Sequence, residues 1–468
     1  MSKIEVDAID KQSGSTLTLG GSGTAVTLAA GATQSGFGRT GTVDWQTGSI
    51  KTSTFTAANG EGYFVNTTGG AVTANLPAGS AGAIVSFSDY TRTFATNTFT
   101  ISPNGSEKIG GVAQNLPLSV NGQAITLVYV DATEGWINVQ NAEDTETGLV
   151  PAFVSASGGN TTITDGDFKI HTFTGPGTFT VSCAGNSGGS NTVSYMVVAG
   201  GGGGGSGDGG GGGAGAGGFR ESKASSDTYT ASPLNATSGP FYNLPVSAQG
   251  YPIVVGSGGT GAGGTVPNPP AGTQGGTSSF STISAAGGGA GGNFPASSTP
   301  DKNGRSGGSG GGGTTDCSTG GTGNSPPVSP AQGTNGGGGA GNAGGGGGGA
   351  GAVGETSPAP SQAGAGGTGV GTAIHPNSPS PVGTPGPSGS LRYFAGGGGG
   401  NNEAPGSAPA QGAGGTGGGG AGDAPGNAGN AGTANTGGGG GGIDSSPSHP
   451  SATHNGGSGI VIIRYRFQ

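Results

Sequence analysis

Nearly pure glycine runs limit what this chain can become more than any other feature. They occupy 200–205, 209–213, 287–292 with one Ala, 310–313, 336–349 with interruptions, 396–400, 412–422 with interruptions, and 437–442. Glycine has no side chain to bury, and it loses more freedom on ordering than any other residue. Such runs are therefore either flexible linkers or segments ordered through their backbones. Glycine supplies 118 of the 468 residues, against an average of roughly 7%. Only 29% of residues are hydrophobic and 8% charged. That is too little apolar surface for an oily core running through the whole chain.

Three features favour order over a linker. The runs are almost free of Ser, and they have similar lengths. They are separated by Pro-rich segments such as NSPPVSPAQGTN and IHPNSPSPVGTPGPSGS. Several are fed directly by strands, as in SYMVVAGGGGGG, YPIVVGSGG and LRYFAGGGGG. The ordered form expected is a bundle of left-handed polyglycine-II helices. These have three residues per turn and a rise of about 3.1 Å per residue, with backbone groups pointing outward in three directions. Without Cβ atoms the chains approach closely enough to bond to one another. A central helix then needs Gly on every face, and Gly346 is an example of such a position. An outer helix admits Ala, Asn or Ser towards solvent, which fits GAGAGG, GNAGGGGGG and GNAGNAG. Such a frame displays its Pro-rich loops at two ends, and loops on rigid frames commonly carry binding. Pro pre-orders them and lowers the entropy lost on binding.

The fold class expected is an all-β N-terminal part of short strands, a stalk and a small β domain. A glycine-rich domain of packed polyglycine-II helices with β-strands follows, with essentially no α-helix. Residues 1–50 read as a β-rich stalk or attachment segment, where LTLGGSGTAVTL alternates Leu17, Leu19, Val26 and Leu28 with small or polar residues. Each run is too short for its own core, which suggests intertwining as a homotrimer. Residues 51–140 read as a small antiparallel β domain with strands at 62–66, 83–88, 98–102, 124–130 and 135–140. Turn signals NTTGG, LPAGSAG, SPNGSE and DATEG separate them. Trp136 and Tyr129 are core residues on this reading, with a sugar-stacking platform as the alternative. The acidic stretch 141–147 is a solvated linker. Residues 148–468 form the glycine-rich head, closed by the strand GIVIIRYRFQ.

Net charge is −9 and the pI about 4.8. No basic stripe faces a nucleic acid. No apolar run reaches transmembrane length, and the start lacks a signal-peptide layout. Cys183 and Cys317 are the only cysteines; they read as free thiols, with one disulfide as the alternative. No phosphate loop, HExxH or paired-Cys motif is present, and GSGGTG at 256–261 is uninformative in so glycine-rich a chain. Asp165 and Asp167 in TDGDF read as a turn in preference to a calcium loop. Asn66, Asn104, Asn160 and Asn235 sit in chance sequons. No cofactor and no catalytic residue is expected. The side chains in or beside the loops best suited to contact a partner are Tyr242, His375, Tyr393, Phe394, His449 and His454. For Tyr393 and Phe394, packing is the stronger reading. The histidines also read as ordinary exposed loop residues, and His449 with His454 as a metal pair is a weaker alternative.

The glycine region resembles the C-terminal adhesin domains of bacteriophage tail fibres, particularly the tip adhesins of T-even-like phages. The residues that carry this are VSYMVVAGGGGGG, YPIVVGSGG, GGTSSFSTISAAGGGAGG and GGSGIVIIRYRFQ. The opening SKIEVDAIDKQSGSTLTLGGSG and GFGRTGTVDWQTGSIKT resemble tail-fibre proteins of marine phages. The resemblance implies a virion component made in the host cytoplasm and released by lysis. It implies a receptor on the bacterial outer surface, protein or glycan. It also implies attachment to other tail or fibre proteins through the N-terminal region, and a homotrimer. The chain departs from T-even-like adhesins in joining stalk and head. The alternatives are a structural glycine-rich virion or filament protein, a ligand-binding domain like those of some animal receptor kinases, and a fibre-borne glycan depolymerase. The last needs clustered carboxylates, and those of the glycine-rich half are scattered.

Overall fold

The computed structural model describes residues 43–140, 152–186, 189–207, 209–263, 270–294, 299–315, 317–378, 381–402, 411–445 and 453–468. The chain divides into two compact units, Met1–Val150 and Pro151–Gln468. Among the described residues both are β structures, and the one helical turn is Thr299–Lys302. The stalk residues Leu17 to Leu28 and the linker 141–147 lie outside the described residues.

In the first unit the chain winds between two sheets. Asp44–Trp45, Glu61–Val65 and Ile84–Asp89 stack in parallel in one sheet. Phe55–Thr56, Val72–Asn75 and Phe99–Ser102 stack in parallel in the other. Leu116–Leu118, Ala124–Asp131 and Gly135–Asn138 then close the sheets with antiparallel pairs. The expected strands are present, but the expected antiparallel arrangement is corrected to a short parallel solenoid. Alternation fixes which side chains face inward and is silent on strand direction. The signal that could have revealed it is a repeat: GYFVNTTGGAVTANLP is echoed by GAIVSFSD and NTFTISP. Inward residues Phe87, Phe99, Ile101, Leu127 and Trp136 are fully buried between the sheets. Trp136 is a core residue whose Nε1–H donates to Glu107 Oε2 at 3.2 Å.

The second unit starts as a β-sandwich of two antiparallel sheets. One sheet runs Thr161–Asp165, Phe168–Phe173, Ile460–Arg466, Thr192–Val198, Phe219–Ser222. The other runs Val154–Ser157, Gly177–Ala184, Gly250–Val254, Ser278–Phe280, Ile283–Ala285. The GPG turn carries the chain from one sheet to the other. The closing strand pairs on both sides, with Phe168–Phe173 and with Thr192–Val198. Val461, Ile463 and Tyr465 point into the sandwich with Phe179 and Phe280. Ile460 and Ile462 point to the opposite face, where Met196, Phe219 and Phe394 cover them. Burial on both faces explains why IVIIRYR is a near-continuous apolar run.

From this sandwich the glycine runs extend as a polyglycine lattice. The run 200–205 shows its rule. The N–H groups of Gly200 and Gly203 donate to Gly276 and Thr273, those of Gly201 and Gly204 to Gly457 and His454, and those of Gly202 and Gly205 to Gly215 and Gly212. Its carbonyls accept, in the same order of threes, from Gly288 and Gly291, from Gly259 and Ala262, and from Gly440 and Ile443. These contacts measure 2.8–3.2 Å. A period of three with six bonded neighbours is hexagonal packing of polyglycine-II helices. The runs 212–217, 344–349 and 396–401 are bonded in the same way. A Cβ on Gly203 would lie 2.0 Å from Thr260 O, and one on Gly346 1.9 Å from Ala365 O.

Two of the three segments expected as outer helices, GAGAGG at 213–218 and the glycines 344–349 of GNAGGGGGG, lie inside the lattice, so interior helices are not wholly glycine. Ala214 and Ala216 are fully buried within 212–217. The methyl of Ala216 joins the apolar cluster beneath the sheet, and the bonding period continues through both. The outer helix GNAGNAG behaves as expected. A Cβ on Gly429 would meet Ala421 O at 2.5 Å and one on Gly432 would meet Gly438 O at 2.1 Å. Asn427, Ala428, Asn430 and Ala431 face solvent.

Candidate functional site

Bond order along the lattice fixes which end each crossover occupies. Run 200–205 starts at its strand and points away from the sandwich. It is antiparallel to 212–215, because Gly202 bonds Gly215 while Gly205 bonds Gly212. It is parallel to 288–291, 259–262 and 440–443. Carried through the bundle, the same reasoning places the long strands at one end and a second set of crossovers at the other. The described residues of this distal set are 206–207, 209–210, 263, 270–271, 293–294, 299–303, 314–315, 317–318, 338–343, 356–363, 402, 411, 423–429, 444–445 and 453. Their sequences hold several prolines, and Phe294 is their only Phe, Tyr or Trp.

Three of these crossovers close in the same way. Ala340 and Ala343 exchange N–H···O bonds of 3.0 and 3.1 Å, and Ala424 and Asn427 exchange bonds of 2.9 and 2.8 Å. Gln362 N–H donates to Ala359 O at 3.0 Å. In Ala424-Pro425-Gly426-Asn427, Pro sets the second position and Gly426 takes φ 81° at the third. Those are the demands of a type II turn. The turns are tied together: Asn342 N–H donates to Pro360 O at 2.9 Å, Asn402 N–H to Asp423 O at 3.1 Å, and Asn402 Nδ2–H to Ser361 O at 2.7 Å. Pro358, Pro360, Gln362, Pro425, Gly426 and Asn427 are exposed on this surface. The sequence signal for them was the recurrence of Ala-Pro-small-amide, APSQ and APGN, which composition alone does not isolate.

The residues singled out from sequence are dispersed. Phe394 (1% exposed) is core, and His375 (3%) lies buried at the sheet end, its Nδ1 2.9 Å from Pro376 O. Both side chains are buried beside the apolar cluster under the sheet, where Arg392–Phe394 pairs with Val370–Thr372. Tyr393 is half-buried over Gly386, where a Cβ would meet its ring at 2.2 Å. Tyr242 is half-buried near Leu244–Pro245, also at the sheet end. His454 belongs to the distal end but is 3% exposed, inside the lattice. His449 lies outside the described residues. Among the described residues no group of three His, Cys, Asp or Glu side chains gathers as metal ligands. Asp165 and Asp167 flank a hairpin turn at Gly166, φ 57°, and Asp165 Oδ2 pairs with Arg464 at 2.7 Å. Cys183 and Cys317 are both free and exposed.

Sequence reasoning also missed a buried polar cluster at the sheet end. Arg464 Nε–H is 3.0 and 3.1 Å from the two oxygens of Asp227. Glu221 is fully buried, accepting from Thr372 Oγ1 at 2.6 Å and from Ser232 N at 2.9 Å. Burial pushes its carboxyl above the usual range, opposed by those hydrogen bonds. Burial lowers His171, opposed by the bond to Gly158 O. Arg464, Asp227, Glu221 and His171 are all buried, and the first three tie strands to the connection 223–243.

Comparison with curated proteins finds no match. The profile of a glycine-rich domain family covers residues 172–466, from the strand Phe168–Phe173 through the whole lattice to the closing strand, and the chain belongs to that glycine-rich domain family.

Proposed function

We propose that this protein is a bacteriophage tail-fibre adhesin and that the distal end of the lattice is its receptor-binding surface. The observation that carries the reading is the sorting of the crossovers. A backbone lattice, inflexible because each inner residue is bonded on both sides, presents one set of crossovers, several of them holding prolines, away from the long strands of the second unit. Turns on such a frame can change sequence without disturbing it, which suits recognition of a variable cell surface. Pro at fixed positions lowers the ordering cost of binding. On this reading the protein binds and does not catalyse. It sits on the virion as a homotrimer, joined to other tail proteins through its N-terminal region, and is released by lysis. Its receptor is a component of the bacterial outer surface.

The test is a crossover exchange. Replacing 424–428 and 358–362 with unrelated turns of equal length should change adsorption of particles to marine bacterial hosts while particle assembly continues. The same exchange in 374–390, at the sheet end, should leave adsorption unchanged. Normal adsorption after all distal exchanges would overturn the proposal.

A further inference from the structure

We infer that Asn104-Gly105, at an exposed turn of the first unit, is a self-modification site. There the folded protein loses the Asn104 side-chain amide to attack by the Gly105 backbone nitrogen, while the other Asn-Gly pairs are protected. This chemistry is independent of what the lattice binds. Asn-Gly occurs six times, at 59–60, 104–105, 121–122, 303–304, 335–336 and 455–456. Glycine has no Cβ to obstruct the approach of its nitrogen to the preceding side chain. The dipeptide itself does not distinguish the six.

The structure separates one from five. In five pairs both reacting groups are held by hydrogen bonds. The Oδ1 atoms of Asn59, Asn121, Asn303, Asn335 and Asn455 accept from the N–H groups of Ile84, Ala95, Thr319, Gly323 and Gly261 at 2.8–2.9 Å. The glycine nitrogens donate in turn: Gly60 to Ile84 O, Gly304 to Thr319 O, Gly336 to Gly321 O and Gly456 to Gly259 O at 2.8–3.0 Å. Gly122 donates to Asp89 Oδ2 at 3.0 Å. A side-chain carbonyl tied to another segment does not swing onto its own backbone, and a nitrogen engaged as a donor does not attack. Asn104 has neither restraint. It is exposed, and among the described residues neither its side chain nor the Gly105 N–H has a hydrogen-bond partner. Gly105 takes φ 57°, and a Cβ on it would have no neighbour within 4 Å.

The reaction is a ring closure followed by hydrolysis. The Gly105 nitrogen gives up its proton and bonds to Asn104 Cγ. The Cγ–Nδ2 bond breaks, and ammonia leaves with that proton. Water then opens the cyclic imide at either carbonyl, giving aspartate or its β-linked isomer, with nothing oxidised or reduced. Either product adds a negative charge. The β-linked one also adds a backbone carbon to the turn closed by Glu107 N–H and Asn104 O at 3.0 Å. Glu107 is the residue whose carboxylate accepts from Gly79 N at 2.8 Å and from Trp136 Nε1 at 3.2 Å.

The experiment is peptide mapping by mass spectrometry of the full chain, aged at neutral pH in ¹⁸O-enriched water, folded and in guanidinium. Each conversion takes one oxygen from the solvent, so the label separates ageing from changes during digestion. The rate in the folded chain, divided by the rate at the same site in guanidinium, should be near unity at Asn104. At the other five it should be lower by roughly tenfold or more, because they react only when their hydrogen bonds open. A ratio at Asn104 no higher than at the other five, or any of the five matching it, overturns the assignment.

Discussion

The parallel solenoid of the first unit and the glycine lattice of the second solve one problem in opposite ways. Both must satisfy every buried N–H and C=O. The solenoid does so in sheets and is held by large side chains between them, Phe87, Phe99 and Trp136 among them. The lattice has almost no side chains, and its helices are held by bonds between backbones. Ordering a residue costs about 1–2 kcal/mol, while a hydrogen bond returns about 0.5–1.5 kcal/mol net. Lattice bonds alone therefore at best roughly match that cost. Strands anchor the runs: the sandwich strands Thr192–Val198 and Gly250–Val254 feed 200–205 and 256–262, and Arg392–Phe394, paired with Val370–Thr372, feeds 396–400, which fixes the position and direction of each. A glycine-only frame needs an apolar anchor.

The largest effect that would break this contrast is a side chain inside the lattice. Gly346→Val places atoms where Ala365 O lies 1.9 Å from a Cβ. No side chain is available to move aside, so the head should lose its cooperative thermal transition. The first unit's transition should remain, and calorimetry reads both. In the first unit, Trp136→Ala should cost about 3–5 kcal/mol by the cavity it leaves. It should lower that unit's transition and spare the head's; equal loss in both would erase the distinction.

A smaller effect concerns charge in the anchor. Burial raises the Glu221 carboxyl, so the folded state binds a proton more tightly than the unfolded chain. Its favourable contribution is present at low pH and is lost as pH rises from the unfolded carboxylate range, about 4.3, towards the raised folded value. Glu221→Gln should therefore flatten the pH dependence of head stability on that limb. His171 is lowered by burial, and its contribution has the opposite slope: present above the unfolded value, about 6.5, and lost as pH falls through it towards the folded one. Urea midpoints across pH 4 to 8 (a window set by these reference values) separate the two. The smallest effect belongs to the outer helix. Ala431→Ser faces solvent and should change stability by less than about 0.5 kcal/mol. A loss as large as that of Gly346→Val would mean that the helix has neighbours on every side.

Much of this architecture is legible in the chain itself. Glycine runs fed by strands and separated by Pro-rich stretches favoured polyglycine-II packing over a flexible linker. GNAGNAG identified an outer helix by its period of three. GIVIIRYRFQ announced a closing strand, and its burial on both faces came from the structure. Strand direction in the first unit was not legible, because alternation is identical for parallel and antiparallel neighbours. Which crossovers form the distal end was not legible either. His375 and Phe394 sit in a Pro-rich stretch like those of the distal end, yet the order of parallel and antiparallel runs returns that stretch to the sandwich. Sequence determined that the backbone would be the frame, since glycine leaves no other material. Tertiary structure alone decided which crossovers share an end and that His454 turns inward, because both depend on how the runs are paired in space, and identical glycine runs carry no label for their partners.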